Sequence, residues 1–228
     1  MRVVFLSLPL LLLPLAAAAE GTEYFSFFDG WPRDHHPLDT TPRFLEEGER
    51  MGRCSAEDLV QHRGDKFRYA ARVHPAFGDR LSLFEGQVVQ LAVEHFGRAP
   101  TRMRHGGTYN CRRARGRRGR ISEHAFGNAI DLEGFDFGRL PRDGELPAGL
   151  HRRYRRPFQV RIGPHWAPRR SRDQPQADFL HALAETLRRR PDIFRGIVGP
   201  PRPRHANHLH LDASPWRYTM FSYEHDEE

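Results

Sequence analysis

The sequence predicts a loop-rich α+β domain, on three observations. With 228 residues the chain can build one substantial core, and a single domain is the reading that length supports. Only 38% of the residues are hydrophobic, and 20 glycines and 18 prolines interrupt the chain often, which suits an α+β fold better than a helical bundle. Finally, apolar residues recur at helical spacing in two stretches, while several shorter stretches are β-prone.

Taken in order, Met1 to Ala19 has the make-up of an export signal: Arg2, the apolar run Val3–Leu15, then the small residues Ala16–Ala19. The stretch is too short, and too soon followed by Glu20, for a stable membrane span. Residues 20–49 read as an irregular N-terminal arm with Phe25, Phe27, Phe28 and Trp31, and Pro42–Arg50, at its end, could form a short helix. Ser55 to Asp58 resembles a capping box and predicts a helix over Ala56–His62. Phe84, Val88, Leu91, Ala92 and Phe96 make an amphipathic stripe that Gly97 ends. Thr101–His105 reads as a strand leading to a Gly106-Gly107 turn. Gln174–Arg190 is the clearest helix, with Asp173 as its cap and Pro191 beyond it. Gly196–Gly199 reads as a brief strand. Asp136–Arg156 and Pro164–Arg172 read as Pro-, Gly- and Arg-rich insertions, and residues 217–228 as an acidic tail.

Net charge is +7, and Lys66 is the only lysine. With a sequence pI of about 10.1, the exported protein suits an anionic partner such as a cell-wall polymer. Nucleic acid is disfavoured by export and by the lack of interleaved aromatics. Arg112–Arg120 holds six arginines in nine residues, most of which read as a solvated loop. Arg152, Arg153, Arg155 and Arg156 form a second basic cluster that could flank a cleft. Cys54 and Cys111 are the only cysteines; export permits one disulfide between them, with two free thiols as the alternative.

Two segments carry the chemistry. Ser122 to Asp131 reads S-E-H-A-F-G-N-A-I-D, and His205 to Asp212 reads H-A-N-H-L-H-L-D. If Asn128–Leu132 is a strand, Asp131 is fixed on one sheet face and His124 arrives from the preceding loop. On a second strand, His208 and His210 share a face while Leu209 and Leu211 point the other way, into a core. Two imidazoles and a carboxylate are a familiar ligand set for zinc with an open position. Surface histidines in a chain that holds 14 of them are the bland alternative.

Ser122, His124, Gly127, Ala129 and Asp131 fit the S-x-H-x-x-G-x-A-x-D pattern of the D-Ala-D-Ala metallopeptidase and murein endopeptidase superfamily. Together with Tyr109–Arg112 and His205–Asp212, they make residues 50–216 resemble the bacterial extensin-like C-terminal domain family, an offshoot of that superfamily. The resemblance implies a small antiparallel sheet that carries the metal site, flanked by helices, as in the LAS and hedgehog-type metallopeptidases. It implies one zinc ion on His124, Asp131 and His210, and at His208 a group that takes the water's proton or stabilises the transition state, with help from His205. It also implies that Arg112 holds a substrate carboxylate or the oxyanion. Asn207 stands where the dipeptidase branch has its glutamate base, so the histidines are closer to the penicillin-insensitive endopeptidase arrangement. Family members often have a further cysteine before the last motif, and Pro191–Arg195 has none. Asp212, Glu123 and Glu133 read as supporting groups rather than ligands, and Ser122 as a residue that orders the turn rather than a nucleophile.

The expected function is an exported zinc peptidase acting on peptidoglycan stem peptides, as a D,D-carboxypeptidase or D,D-endopeptidase. Two alternatives stay open: a non-catalytic wall-binding module with the same fold, and a basic protein that binds anionic cell-wall polymers through its arginine loops.

Overall fold

The computed structural model describes residues 36–46, 49, 51, 52, 54, 57–115 and 119–223. The expected export signal, the aromatic residues of the arm, the serine of the capping box and the last five residues of the tail lie outside the described residues.

The longest helix, α1 (Pro75–Phe96), starts further upstream than the stripe from Phe84 suggested. Phe77 and Leu81 extend that stripe N-terminally and are fully buried. Pro75 suits the first turn, and His74 caps it by accepting from the Ala76 amide at 3.3 Å. Gly97 stops the helix as expected, in the left-handed region at φ 70°. α3 (Gln174–Arg188) buries Phe179, Leu180, Leu183, Ala184 and Leu187, the predicted stripe. Asp173 sits at its N-cap position without a side-chain capping bond.

Between α1 and the first motif run β3 (Arg102–Gly107) and then β4 (Ala129–Phe137), the longest strand. β4 is the hinge of the topology. One edge pairs with β3; the other pairs with β7 (Leu209–Asp212) along Ala129–Leu132 and with β5 (Phe158–Arg161) along Gly134–Phe137. β6 (Gly196–Val198) lies beyond β7, and β8 (Tyr218–Met220) completes a six-stranded sheet. The predicted antiparallel sheet is thus mixed, because β8 runs parallel to β6. It also extends past residue 216, where the tail was expected to begin.

Burial alternates along β4 until the register against β3 shifts between Arg104 and His105. Ile130 and Leu132 precede that irregularity and Phe135 and Phe137 follow it, and all four join the core. The extra residue reverses the alternation, so both halves of the strand turn apolar side chains to the same core. There they meet α1, α3 and aromatic pairs such as Phe84 with Phe194, whose ring centroids are 5.2 Å apart. Each such buried side chain contributes about 1.5–3 kcal/mol.

Three local expectations fail. Val60–His62 is not helical but forms β1, paired with β2 (Ala71–Val73), because a β-capable segment found a partner strand. In the described part of Pro42–Arg50, Phe44 bridges Arg120 and the Leu45 amide donates to the Gly119 carbonyl, so extended pairing replaces the helix. The two insertions are more ordered than loops. The first holds the buried ring of Tyr154, the second the end of a short helix α2 (Ile162–His165) and the buried ring of Trp166, and β5 lies between them.

Cys54 and Cys111 form a disulfide, which ties the segment before Arg112 to the chain ahead of β1. Among the described residues, no helix is long and apolar enough to cross a membrane.

Candidate metal centre

The first motif folds into a single 3-10 turn, Glu123–Phe126, between Ser122 and Gly127. Gly127 closes the turn at φ 63°, and its carbonyl accepts from the His74 amide at 3.0 Å. A Cβ at Gly127 would stand 2.9 Å from that nitrogen, so both its backbone angle and its close packing on the α1 cap call for glycine. Inside the turn, the buried Glu123 pairs with Arg43 at 2.8 Å and accepts from Asn128 Nδ2 at 2.8 Å. Burial and the neighbouring Asp212 push the Glu123 carboxyl upward, while Arg43 and Asn128 pull it down. Ser122 makes no side-chain capping bond; its main chain orders the turn, its amide donating to the Arg112 carbonyl and its own carbonyl accepting from the Ala125 amide.

Pairing between β4 and β7 places Asp131 directly opposite His210. Directly opposed residues share a sheet face, so both point away from the core that holds Ile130 and Leu211. His124 reaches the same point from the turn. Its Nε2 lies 3.1 Å from Asp131 Oδ1 and 3.1 Å from His210 Nδ1, and those two atoms are 3.1 Å apart.

The outer partners fix what this triangle contains. His124 Nδ1 donates to the Thr108 carbonyl at 2.9 Å, so its Nε2 faces inward as a bare lone pair. His210 Nε2 donates to Asp212 Oδ2 at 3.0 Å, which leaves Nδ1 as the inward lone pair. With both imidazoles neutral, two nitrogens and a carboxylate oxygen converge with no donor among them, an arrangement that a metal ion satisfies. Ligands at about 2.0–2.1 Å around a tetrahedral ion stand roughly 3.3 Å apart, close to the observed edges. His124, Asp131 and His210 fit a metal ion.

A proton is the competitor. Burial disfavours a charged His210, but Asp131 and Asp212 outweigh it and raise the imidazole to about 9. Burial likewise opposes ionised Asp131, yet His124 and His210 hold its carboxyl far below the ordinary range. Asp212 is fully buried and is itself anchored by the Ser214 amide at 3.0 Å and the Tyr218 hydroxyl. Gly196 stands opposite both Asp212 and Tyr218, and any side chain there would strike them.

His208 precedes β7 rather than lying within it, but it still turns toward the centre, its Nε2 3.7 Å from Asp131 Oδ1. Burial lowers its pKa and keeps the ring neutral. His205 packs with it at 5.0 Å between ring centroids, and burial, aided by His210 and His208, lowers His205 to about 4. Arg112, His205, His208 and His210 all line an open cleft of about 380 Å³ that reaches Asp131. The second basic cluster does not line it. Arg153 pairs with Asp173 and Arg155 donates to the Gly144 carbonyl, since the insertion is folded onto its own neighbours. Sequence reasoning missed the Thr108 carbonyl, which any residue could supply, and Tyr218, which it left in the tail.

No curated protein and no solved structure matches the chain. Residues 39–145 match a family model, a span that takes in Cys54, Cys111, His124 and Asp131 and stops short of His205–His210. The family is the extensin-like protein C-terminus, and this part of the chain is similar to it.

Proposed function

We propose that the protein is a zinc-dependent peptidase that acts on peptidoglycan stem peptides in the D,D-carboxypeptidase or D,D-endopeptidase manner. One observation carries the reading: His124, Asp131 and His210 turn three lone pairs into one point at the floor of an open cleft. Bound there, zinc supplies Lewis acidity and a nucleophilic water at neutral pH.

The chain's own residues supply the rest. Asp212 holds His210 in the tautomer that presents Nδ1, and Thr108 does the same for His124. His208, neutral and beside Asp131, is placed to accept a proton. Arg112 lines the cleft and offers a guanidinium fork to a carboxylate or to the developing oxyanion. His205 packs against the His208 ring and is the candidate assistant to it.

The test is digestion of purified muropeptides by the zinc-loaded protein, beside His208→Ala at matched zinc content. The expected outcome is fragment release that chelator abolishes and that falls about 10²–10⁴-fold in the variant, the usual contribution of a positioned acid–base group. Zinc-loaded protein that binds wall material and releases nothing would instead make it a wall-binding module.

A further inference from the structure

Among the described residues five arginines are at least nine-tenths buried: Arg43, Arg80, Arg98, Arg120 and Arg195. Four of them have acceptors for their guanidinium donors. Arg43 pairs with Glu123 and Arg195 with Asp39. Arg80 donates to the main-chain carbonyls of Pro191, Asp192 and Ile193. Arg98 donates to those of Phe96, Gly138, Tyr154 and Arg156.

Arg120 is different. Its guanidinium carbon lies 4.8 Å above the Trp216 ring and 5.9 Å from the Tyr218 ring, and its Nε is buried without a hydrogen-bond partner. Burying a charged donor without an acceptor is among the more costly arrangements in a protein. This one lines the same cleft as Asp131 and His210. The carboxylates beside it in that cleft are already engaged, Glu123 by Arg43 and Asn128, and Asp212 by His210, Ser214 and Tyr218. The aromatic rings orient a planar guanidinium that borders the cleft.

We propose that Arg120 is an anion anchor of the cleft and binds a carboxylate of the substrate, which leaves Arg112 for the developing oxyanion. A carboxylate fits better than a phosphate. It is planar and matches the planar guanidinium in a two-point contact. The carboxylate has two sources, the C-terminus of the bound peptide or an acidic side chain within it. The choice of a peptide rests on the function proposed above; the anchor itself requires no turnover.

The test is calorimetric titration of the zinc-loaded full chain with three probes, cleavage being followed in parallel. The probes are acetyl-D-alanyl-D-alanine, its C-terminal amide, and acetyl-D-glutamyl-D-alanine amide, in which only the side chain is acidic. Wild-type protein is expected to bind one acidic probe about tenfold or more tightly over the neutral amide, the scale of a charged hydrogen bond. Whichever acidic probe is preferred identifies the source. Arg120→Gln should erase the preference at unchanged zinc content, and Arg120→Lys, which keeps the stem and charge but not the fork, should lose most of it. The wild-type contrast shows whether the cleft prefers an acid at all, and an acid preference that persists in Arg112→Gln assigns it away from the other cleft arginine, so a misfolded Arg120→Gln leaves the question decidable. Equal binding of all three probes, binding of none, or a preference that survives in Arg120→Gln overturns the anchor. Cleavage without acid preference keeps the peptidase and removes the anchor; acid preference without cleavage does the reverse.

Discussion

The two faces of β4 and β7 are built from alternate residues of the same strands, yet they answer to different rules. On one face Ile130, Leu132, Leu209 and Leu211 are fully buried in a core shared with α1 and α3. On the other, Asp131, His210 and Asp212 hold one another by named atoms at 3.0–3.1 Å. The apolar face is redundant, because any one leucine touches many neighbours and the core can partly close around a loss. The polar face has no such reserve. Each imidazole of the triangle has one outer partner, and that partner sets its tautomer. Adjacent residues can therefore carry wholly different functions, and substitutions at 210, 211 and 212 probe the contrast in turn.

The largest effect falls at 210. His210→Ala removes one of three converging lone pairs, and zinc retention should drop beyond the roughly 100-fold seen when only an outer partner is lost. The metal-free variant should melt somewhat below the metal-free wild type, because the buried Asp212 loses its imidazole partner, but by less than a core truncation costs. Metal analysis after dialysis, with parallel thermal melts, checks both halves. A His210→Ala protein that still holds one zinc per chain would break the comparison.

Leu211→Ala inverts the pattern. It opens a cavity under the sheet and should lower stability by about 2–5 kcal/mol while zinc stoichiometry in the folded fraction stays at one. Denaturant unfolding with metal analysis is the measurement. Loss of zinc from protein that is still folded would mean that the two faces are not separable.

Much of this contrast was legible in the sequence, because period-two alternation is a local property. His210 between Leu209 and Leu211, and Asp131 between Ile130 and Leu132, announce two faces without any tertiary knowledge. The α1 and α3 stripes were legible for the same reason. Nonlocal matters were not. Val60–His62 became a strand only because Ala71–Val73 was there to pair with it. Arg120, one of a run of arginines that reads as solvated, is buried because Trp216 arrives from nearly the other end of the chain. The disulfide was open on spacing alone and depended on where the fold brought Cys111. Gly196 carries no local signal of the space it leaves for Asp212 and Tyr218.

The smallest and most discriminating effect is at 212. Asp212 lies on the polar face yet is fully buried, so it belongs to both regimes. Asp212→Asn preserves shape and can still accept from the Ser214 amide, but it removes the charge that fixes the Nε2–H tautomer of His210. Zinc affinity should weaken by about 10–100-fold, the range for a carboxylate behind a histidine ligand. Competition with a chromogenic chelator measures it. The loss should shrink at lower pH, because Asp212 also raises the proton affinity of His210, so the proton competes less with the metal once that charge is gone. An unchanged affinity would show that Tyr218 and the sheet register alone orient His210, and that the polar face tolerates substitution as well as the core does.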